Sequence, residues 1–405
     1  MPIELTPHTE SGARLVAAAE QLSEQLAIRA ADHDRAGSYP FEAIEALKAH
    51  GYFAAPVPVE LGGLGVASAH DLVVAASRLA RGDASVAIGV SMHLVAVLNM
   101  ERRRQVATAA GHERRARAFA RSLEQIARDG VVLAAAISER GQDLTRPDTR
   151  ATRTDAGWRI DGRKLFCTMS PAATDLYVAV SYADDAGLER YAYAMVPTGA
   201  PGVVIHDDWD ALGMRASGSN SVSLEGVRLP ETGVRGGFRA GDPLPYIERN
   251  LVSGLFHAAA SLGIAEAVEA IAHRGLAERI NGDARQRMQV ADNTIDLAAA
   301  RALLSRAAAL IDAHRADNPA SDGSADELRA LFAEAQAAKA FVNEASSRIV
   351  DRALALSGGS GYRNGSPLAR GYRDVKAGSF MHPLGANRAY DYLAQDTLGE
   401  TPELH

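Results

Sequence analysis

The period of the apolar residues changes twice along the chain, and those changes constrain the fold more than any single motif. From about Glu10 to Arg128 apolar positions recur at helical spacing. Phe41, Ile44 and Leu47 share one face after Pro40, and Gly51 stands where a left-handed cap is expected. From Gly130 to about Arg239 the pattern shortens to runs such as VVLAAAIS, GWRIDGRKLF, DLYVAVSY and RYAYAMV, broken by Gly, Pro, Asp and Ser. These predict strands joined by tight turns. No helical pattern intervenes, so the expectation is an antiparallel sheet or barrel, and the βαβ dinucleotide-binding fold is excluded. From about Pro243 the helical period returns in alanine-rich stretches, and ADNPASDGSA (Ala316 to Ala325) predicts an exposed turn between two long helices. The order α, then β, then α divides the chain into domains at 1–129, 130–239 and 240–405.

Composition serves mainly to exclude. The 405 residues carry 43 Lys and Arg against 50 Asp and Glu, a net charge of −7 that disfavours nucleic acid or an anionic membrane as partner. The polar start MPIELTPHTESGARL does not read as a signal peptide. The uncharged run between Asp83 and Glu101 falls short of the roughly 20 apolar residues of a membrane span. The single cysteine, Cys167, can form neither an internal disulfide nor a CxxC site, and a cytoplasmic location is expected.

Local motifs are ambiguous singly. Seven arginines lie between Arg102 and Arg121. They could hold a phosphate-bearing ligand, but a solvated helix face is the commoner explanation. The glycines of SGGSGYRNGSP (Ser357 to Pro367) suit a phosphate or a helix cap equally. His93, in an apolar helix, is by default a satisfied core histidine, and His382 lies on a segment without regular period. No Ser/His/Asp, HExxH or Walker pattern is present.

Taken in order, several phrases resemble the acyl-CoA dehydrogenase superfamily over nearly the whole chain. They are PVELGGLG, AAISERG, GWRIDGRKLFCT, DWDALGMRASGSNSVSLEGVRLP and ALSGGSGYRNGSPLARGYRD. The resemblance implies an α+β architecture: an N-terminal helical lobe, a middle antiparallel β-barrel lobe and a C-terminal four-helix bundle. Flavin would lie between barrel and bundle, in what is usually a homotetramer. It also implies that Ser138 hydrogen-bonds the flavin pyrimidine edge, that Thr168 lies beside flavin N5, and that Phe166 stands where many relatives place a tryptophan. Arg279, in RINGDARQ, and Gly358 and Gly359 fall where relatives contact the adenosine half of FAD. Those phrases are reduced here, so the cofactor is FMN or FAD.

The departures bear on the chemistry. Counting from Arg373–Asp374, His382 occupies the position of the usual catalytic glutamate, and the alternative site on the first helix of the C-terminal lobe is Ser253, followed by Gly254. Neither is a carboxylate, which removal of a proton α to a thioester requires. Histidines at 382 and 93 are similar to those of two-component flavin monooxygenases of this fold. That resemblance implies a small-molecule substrate, a separate flavin reductase, and transfer of one oxygen from a C4a-hydroperoxyflavin, with His382 and His93 as catalytic residues. The alternative is an acyl-CoA or acyl-carrier dehydrogenase using His382 as its base.

Overall fold

A computed structural model describes residues 4–141, 143–277, 283–402 and 404. The chain opens with helices α1 (Glu10–Ala36), α2 (Phe41–Ala49), α3 (Ala69–Gly82), α4 (Ala84–Ala109) and α5 (Glu113–Arg128). Strands follow: β1 (Leu133–Ala136), β2 (Arg150–Thr154), β3 (Gly157–Cys167), β4 (Asp175–Ala183), β5 (Glu189–Pro197), β6 (Val203–Ile205), β7 (Asn220–Leu229) and β8 (Val234–Arg239). Helices α6 (Leu244–Asn250), α7 (Ser253–Ala277), α8 (Ala284–Asp317), α9 (Ala325–Ser357), α10 (Pro367–Val375) and α11 (Ala386–Thr397) complete it. Local chemistry sets several ends. Thr9 caps α1 by accepting from the Gly12 amide, Gly37 closes it at φ 62°, and Ser324 and Glu327 form a reciprocal capping box on α9.

The two helical segments are not separate bodies. One core runs from Leu22 and Leu72 through Phe256 to Phe332 and Ile349, whereas the sheet keeps its own core around Ile160, Val178, Ala194 and Val222. Helix α3 is buried on nearly every face because it packs against α1, α7 and α8 at once. Two glycines permit that approach. A Cβ at Gly82 would lie 2.0 Å from the Ser23 carbonyl oxygen, and one at Gly263 would lie 2.3 Å from that of Ser77. Among the described residues two stretches, Ala84–Ala109 and Leu244–Gly275, are long and apolar enough to cross a membrane, yet 78% and 94% of their apolar windows are buried inside the protein.

The sheet departs from the expected antiparallel barrel. Its strand order is β6-β7-β3-β2-β4-β5-β8, with β1 beside β4, so the path has two ends and does not close. It is also mixed, since β1 runs parallel to β4 from Leu133↔Asp175 to Ala136↔Val178, and β2 meets β4 in parallel at Arg150↔Ser181. The β2–β3 hairpin is inserted between β1 and β4, so β1 and β4 can run in the same direction. Alternation in a sequence marks a strand but not its neighbour.

Candidate active site

Helices and sheet meet around a cavity of 880 Å³ walled by α4, α5, β1, β5, β8 and α6, by Ser253 at the start of α7, and by His382. Its apolar wall includes Met92, Val95, Met100, Ile137 and Met195. Among the described residues no Asp or Glu lines it, whereas Arg103, Arg115, Arg121, Arg235 and Arg249 do.

His382 is held from two sides. Asn250 at the end of α6 donates its side-chain amide to the Tyr246 carbonyl at 2.8 Å, which turns its Oδ1 towards His382 Nε2 at 2.9 Å. An amide oxygen only accepts, so Nε2 carries the proton and Nδ1 the lone pair. The Tyr246 hydroxyl lies 3.2 Å from the same Nε2 and within 3.2 Å of the Pro383 carbonyl. Behind this loop, Lys339 of α9 donates to the carbonyls of Met381 and, at 2.7 Å, Leu384. Burial, with Lys339 and Arg388 nearby, pushes His382 down to about 3, so the imidazole is neutral across the physiological range. At the other expected base position the Ser253 hydroxyl donates to the Asn250 carbonyl at 3.2 Å, and neither Ser253 nor Gly254 brings a carboxylate.

His93 is not brought to the cavity. It is fully buried; its Nε2–H donates to the Phe53 carbonyl at 2.9 Å, and its Nδ1 accepts from the Leu133 amide at 3.0 Å. One ring nitrogen ties α4 to the turn at Phe53 and the other ties it to the start of β1, so the expected catalytic use gives way to a positioning one. Its neighbours Met92 and Asn99 face the cavity instead. Replacing His93 by leucine is expected to cost about 2 to 5 kcal/mol at pH 7, because two buried backbone groups lose their partners. Burial also holds His93 down to about 4, so its contribution is complete above about pH 6.5 and is lost as the pH falls towards 4. Urea unfolding at pH 7 and pH 5 checks both points: the variant's deficit should narrow at the lower pH.

The residues expected to hold flavin lie where β1 and β3 end side by side. The Leu165 amide donates to the Ser138 carbonyl at 2.9 Å, and the Thr168 and Ser219 hydroxyls are 2.9 Å apart. Phe166 between them is held at φ 55°, is 62% exposed and meets Trp209 edge-on at 6.1 Å. A left-handed backbone at a bulky residue costs roughly 1–3 kcal/mol and marks places where a ligand is held. Half-buried hydroxyls beside an exposed aromatic ring fit a planar isoalloxazine with a polar edge. Below them Lys164 donates to Glu139 at 2.6 Å and to the Ile137 carbonyl at 3.3 Å, locking the two strand ends together. Gly358 and Gly359 are elsewhere, at the end of α9 beside a second cleft of 600 Å³ lined by Ser357, Ser360 and Arg363. Arg279 lies outside the described residues.

The sequence motifs did not reveal Arg249, Asn250, Tyr246 or Lys339. Only Lys339 leaves a trace, as a lone cation in the alanine-rich run FAEAQAAKAF.

Residues 10–134, 134–227 and 255–382 match the acyl-CoA dehydrogenase N-terminal, middle and C-terminal domains. The chain belongs to the acyl-CoA dehydrogenase family, and its cofactor is a flavin, FMN or FAD. It is 34% identical over 402 residues to an amino sugar nitrososynthase of Streptomyces peucetius, covering 97% of this chain and 95% of that one. It is 35% identical to an L-evernosamine nitrososynthase of a Micromonospora species, over 97% of this chain and 92% of that one. Its fold superposes with TM-score 0.90 on KijD3 in complex with FMN and dTDP-3-amino-2,3,6-trideoxy-4-keto-3-methyl-D-glucose, at 30% identity over 99% and 97% of the two chains. The protein is a flavin-dependent, oxygen-using oxidoreductase of this fold.

Proposed function

We propose that the chain is a reduced-flavin-dependent monooxygenase that oxidises the amino nitrogen of a nucleotide-linked amino sugar. The observation that carries this reading is the cavity wall, which presents a neutral His382 and, among the described residues, no carboxylate. A dehydrogenase must remove a carbon-bound proton, and an imidazole held at about 3 is too weak a base for that near neutrality. Oxidation at nitrogen asks for something else. The amine must be uncharged to act as a nucleophile, and a wall of guanidiniums without an acid disfavours the ammonium form. The His382 Nδ1 lone pair accepts a hydrogen bond from the amine N–H, and the tautomer that makes this possible is set by Asn250. Met92, Val95, Met100 and Met195 limit water at the reacting end.

Ser138, Phe166 and Thr168 would hold the flavin ring, which when reduced supplies the electrons that let one oxygen of dioxygen enter the amine while the other leaves as water. FMN is favoured because KijD3 carries it. The same reading includes a separate flavin reductase, a homotetramer in the cytoplasm, and a division at 1–129, 130–239 and 240–405 with a four-helix bundle in the last part. The change from α5 to β1 and from β8 to α6, and the mutual packing of α7, α8 and α9, support that division.

The test supplies the protein with reduced FMN, isotopically labelled dioxygen and a dTDP-linked amino sugar. The expected result is one labelled oxygen on the sugar nitrogen. Anaerobic bleaching of oxidised flavin by an acyl-thioester, with no labelled product, would replace this reading with the dehydrogenase one.

A further inference from the structure

The arginine run noted in the sequence divides in the fold. Arg102 turns inward to the carbonyls of Arg315, Asn318 and Ser321, while Arg104 pairs with Glu101 and Arg117 with Glu113. Arg103, Arg115 and Arg121 instead line the cavity, where Arg235 of β8 and Arg249 of α6 join them. Five arginines face one cavity in a chain whose net charge is −7, so composition alone does not account for the concentration.

Their partners sharpen the point. Arg103 is neutralised by Glu248, but among the described residues Arg115, Arg121, Arg235 and Arg249 have no ion pair. Arg249 is stacked 4.2 Å over Tyr193 and 5.0 Å from the Phe238 ring, and it donates to the Tyr177 hydroxyl. Its Nε is buried with no hydrogen-bond partner among the described residues. Arg115 reaches over Phe119, and Arg235 donates to Ser122 of α5 at 3.4 Å. The guanidiniums of Arg115, Arg235 and Arg249 are therefore oriented by rings and hydroxyls, which leaves donor pairs and full positive charge for an anion. Their exposure is graded as well: Arg115, Arg121 and Arg235 are exposed, whereas Arg249 lies deeper beside Asn250, the residue that orients His382. A single carboxylate would meet this charge poorly, and a group carrying two or more negative charges meets it well.

We propose that Arg115, Arg121 and Arg235 form a diphosphate-binding mouth, with Arg249 as its inner anchor, so that a nucleoside-diphosphate conjugate enters reacting end first and stops with that end at His382. This deepens the reading given above and rests on it for the chemistry at the far end. The handle itself is shared by two sources, a nucleoside-diphosphate sugar and a coenzyme A thioester.

The test is calorimetric titration of the FMN-loaded full chain with thymidine, dTDP and coenzyme A, at low and high salt. dTDP should bind at least about tenfold more tightly than thymidine, and the advantage should shrink as salt rises. Arg115→Gln and Arg235→Gln should each weaken dTDP about tenfold without changing thymidine. Arg117→Gln, on the same helix but outside the cavity wall, should leave dTDP binding unchanged. Arg115, Arg121 and Arg235 are exposed, so their variants keep the core intact, and Arg249→Lys tests the half-buried anchor with its charge retained. Tighter binding of coenzyme A than of dTDP would keep the mouth and assign it to the thioester. Equal affinity for dTDP and thymidine, no binding of either diphosphate, or arginine variants that behave like Arg117→Gln would overturn the proposal. These titrations read no oxygen chemistry, so the labelled-oxygen experiment can fail while the mouth stands, and the reverse.

Discussion

Replacing His382 by alanine should lower formation of oxidised substrate about a hundredfold or more, while reduced flavin and oxygen continue to be consumed and hydrogen peroxide accumulates. The expectation follows from position and tautomer. His382 lies on the cavity wall with Nε2 engaged by Asn250, so truncation removes the acceptor at Nδ1 and leaves the Asn250 amide oxygen only the longer contact with the Ser253 hydroxyl, at 3.2 Å. His382→Gln should recover part of the coupling, because an amide oxygen can still accept; a merely structural role would not respond to that change. Since burial pushes His382 down to about 3, its titration should contribute no inflection near pH 6.5 in the rate profile. Product and peroxide measured together against pH decide the matter. A bell centred on an ordinary imidazole value, or full coupling in the alanine variant, would remove His382 from the reaction.

Replacing Lys164 by methionine should be the most destabilising single change near the flavin residues, at about 3 to 5 kcal/mol at neutral pH. Lys164 is fully buried and its ammonium meets Glu139 at 2.6 Å, while Glu139 also accepts from the Thr149 hydroxyl at 2.5 Å and from the amides of Asp148 and Thr149. Burial alone would raise the Glu139 carboxyl, but Lys164 and these hydrogen bonds outweigh it and hold the carboxyl below its ordinary value. A carboxyl with a lowered folded value stabilises above its unfolded pKa, about 4.3, and loses that contribution as the pH falls through the folded one. The methionine variant's deficit should therefore be largest at pH 7 and narrow below about pH 4. Flavin affinity should fall with stability, since Lys164 also ties the Ile137 carbonyl to β3, the strand that carries Phe166. Denaturant unfolding across pH, with flavin titration beside it, provides the check.

What the sequence could show was whatever repeats at short range. Helical period marked α1, α2 and α4, and alternation marked β3, β4 and β5, because burial of one face writes itself into neighbouring residues. The parallel placement of β1 beside β4 was not legible, since it depends on residues 42 positions apart, as Leu133 and Asp175 are. The same limit misled the expectation for His93. An apolar helix carrying one histidine looks alike whether its nitrogens face a ligand or, as here, the backbone of Phe53 and Leu133. For His382 a family motif fixed the position in the sequence, and the structure sets that residue on the cavity wall. Arg249 gave none: one arginine at the end of a seven-residue helix forms no pattern, and its significance comes from three aromatic rings contributed by the sheet.

The burial of α3 on nearly all sides has a consequence during synthesis. Its partners α7 and α8 begin at Ser253 and Ala284, about two hundred residues later in the chain. Until the ribosome has released that distant stretch, the finished N-terminal helices expose an apolar surface with nothing of their own to cover it. The sheet, whose core is separate, can fold in the meantime. The nascent chain should therefore depend on a chaperone for the interval between making α3 and making α8, and fragments ending before Ser253 should aggregate while the full-length chain does not.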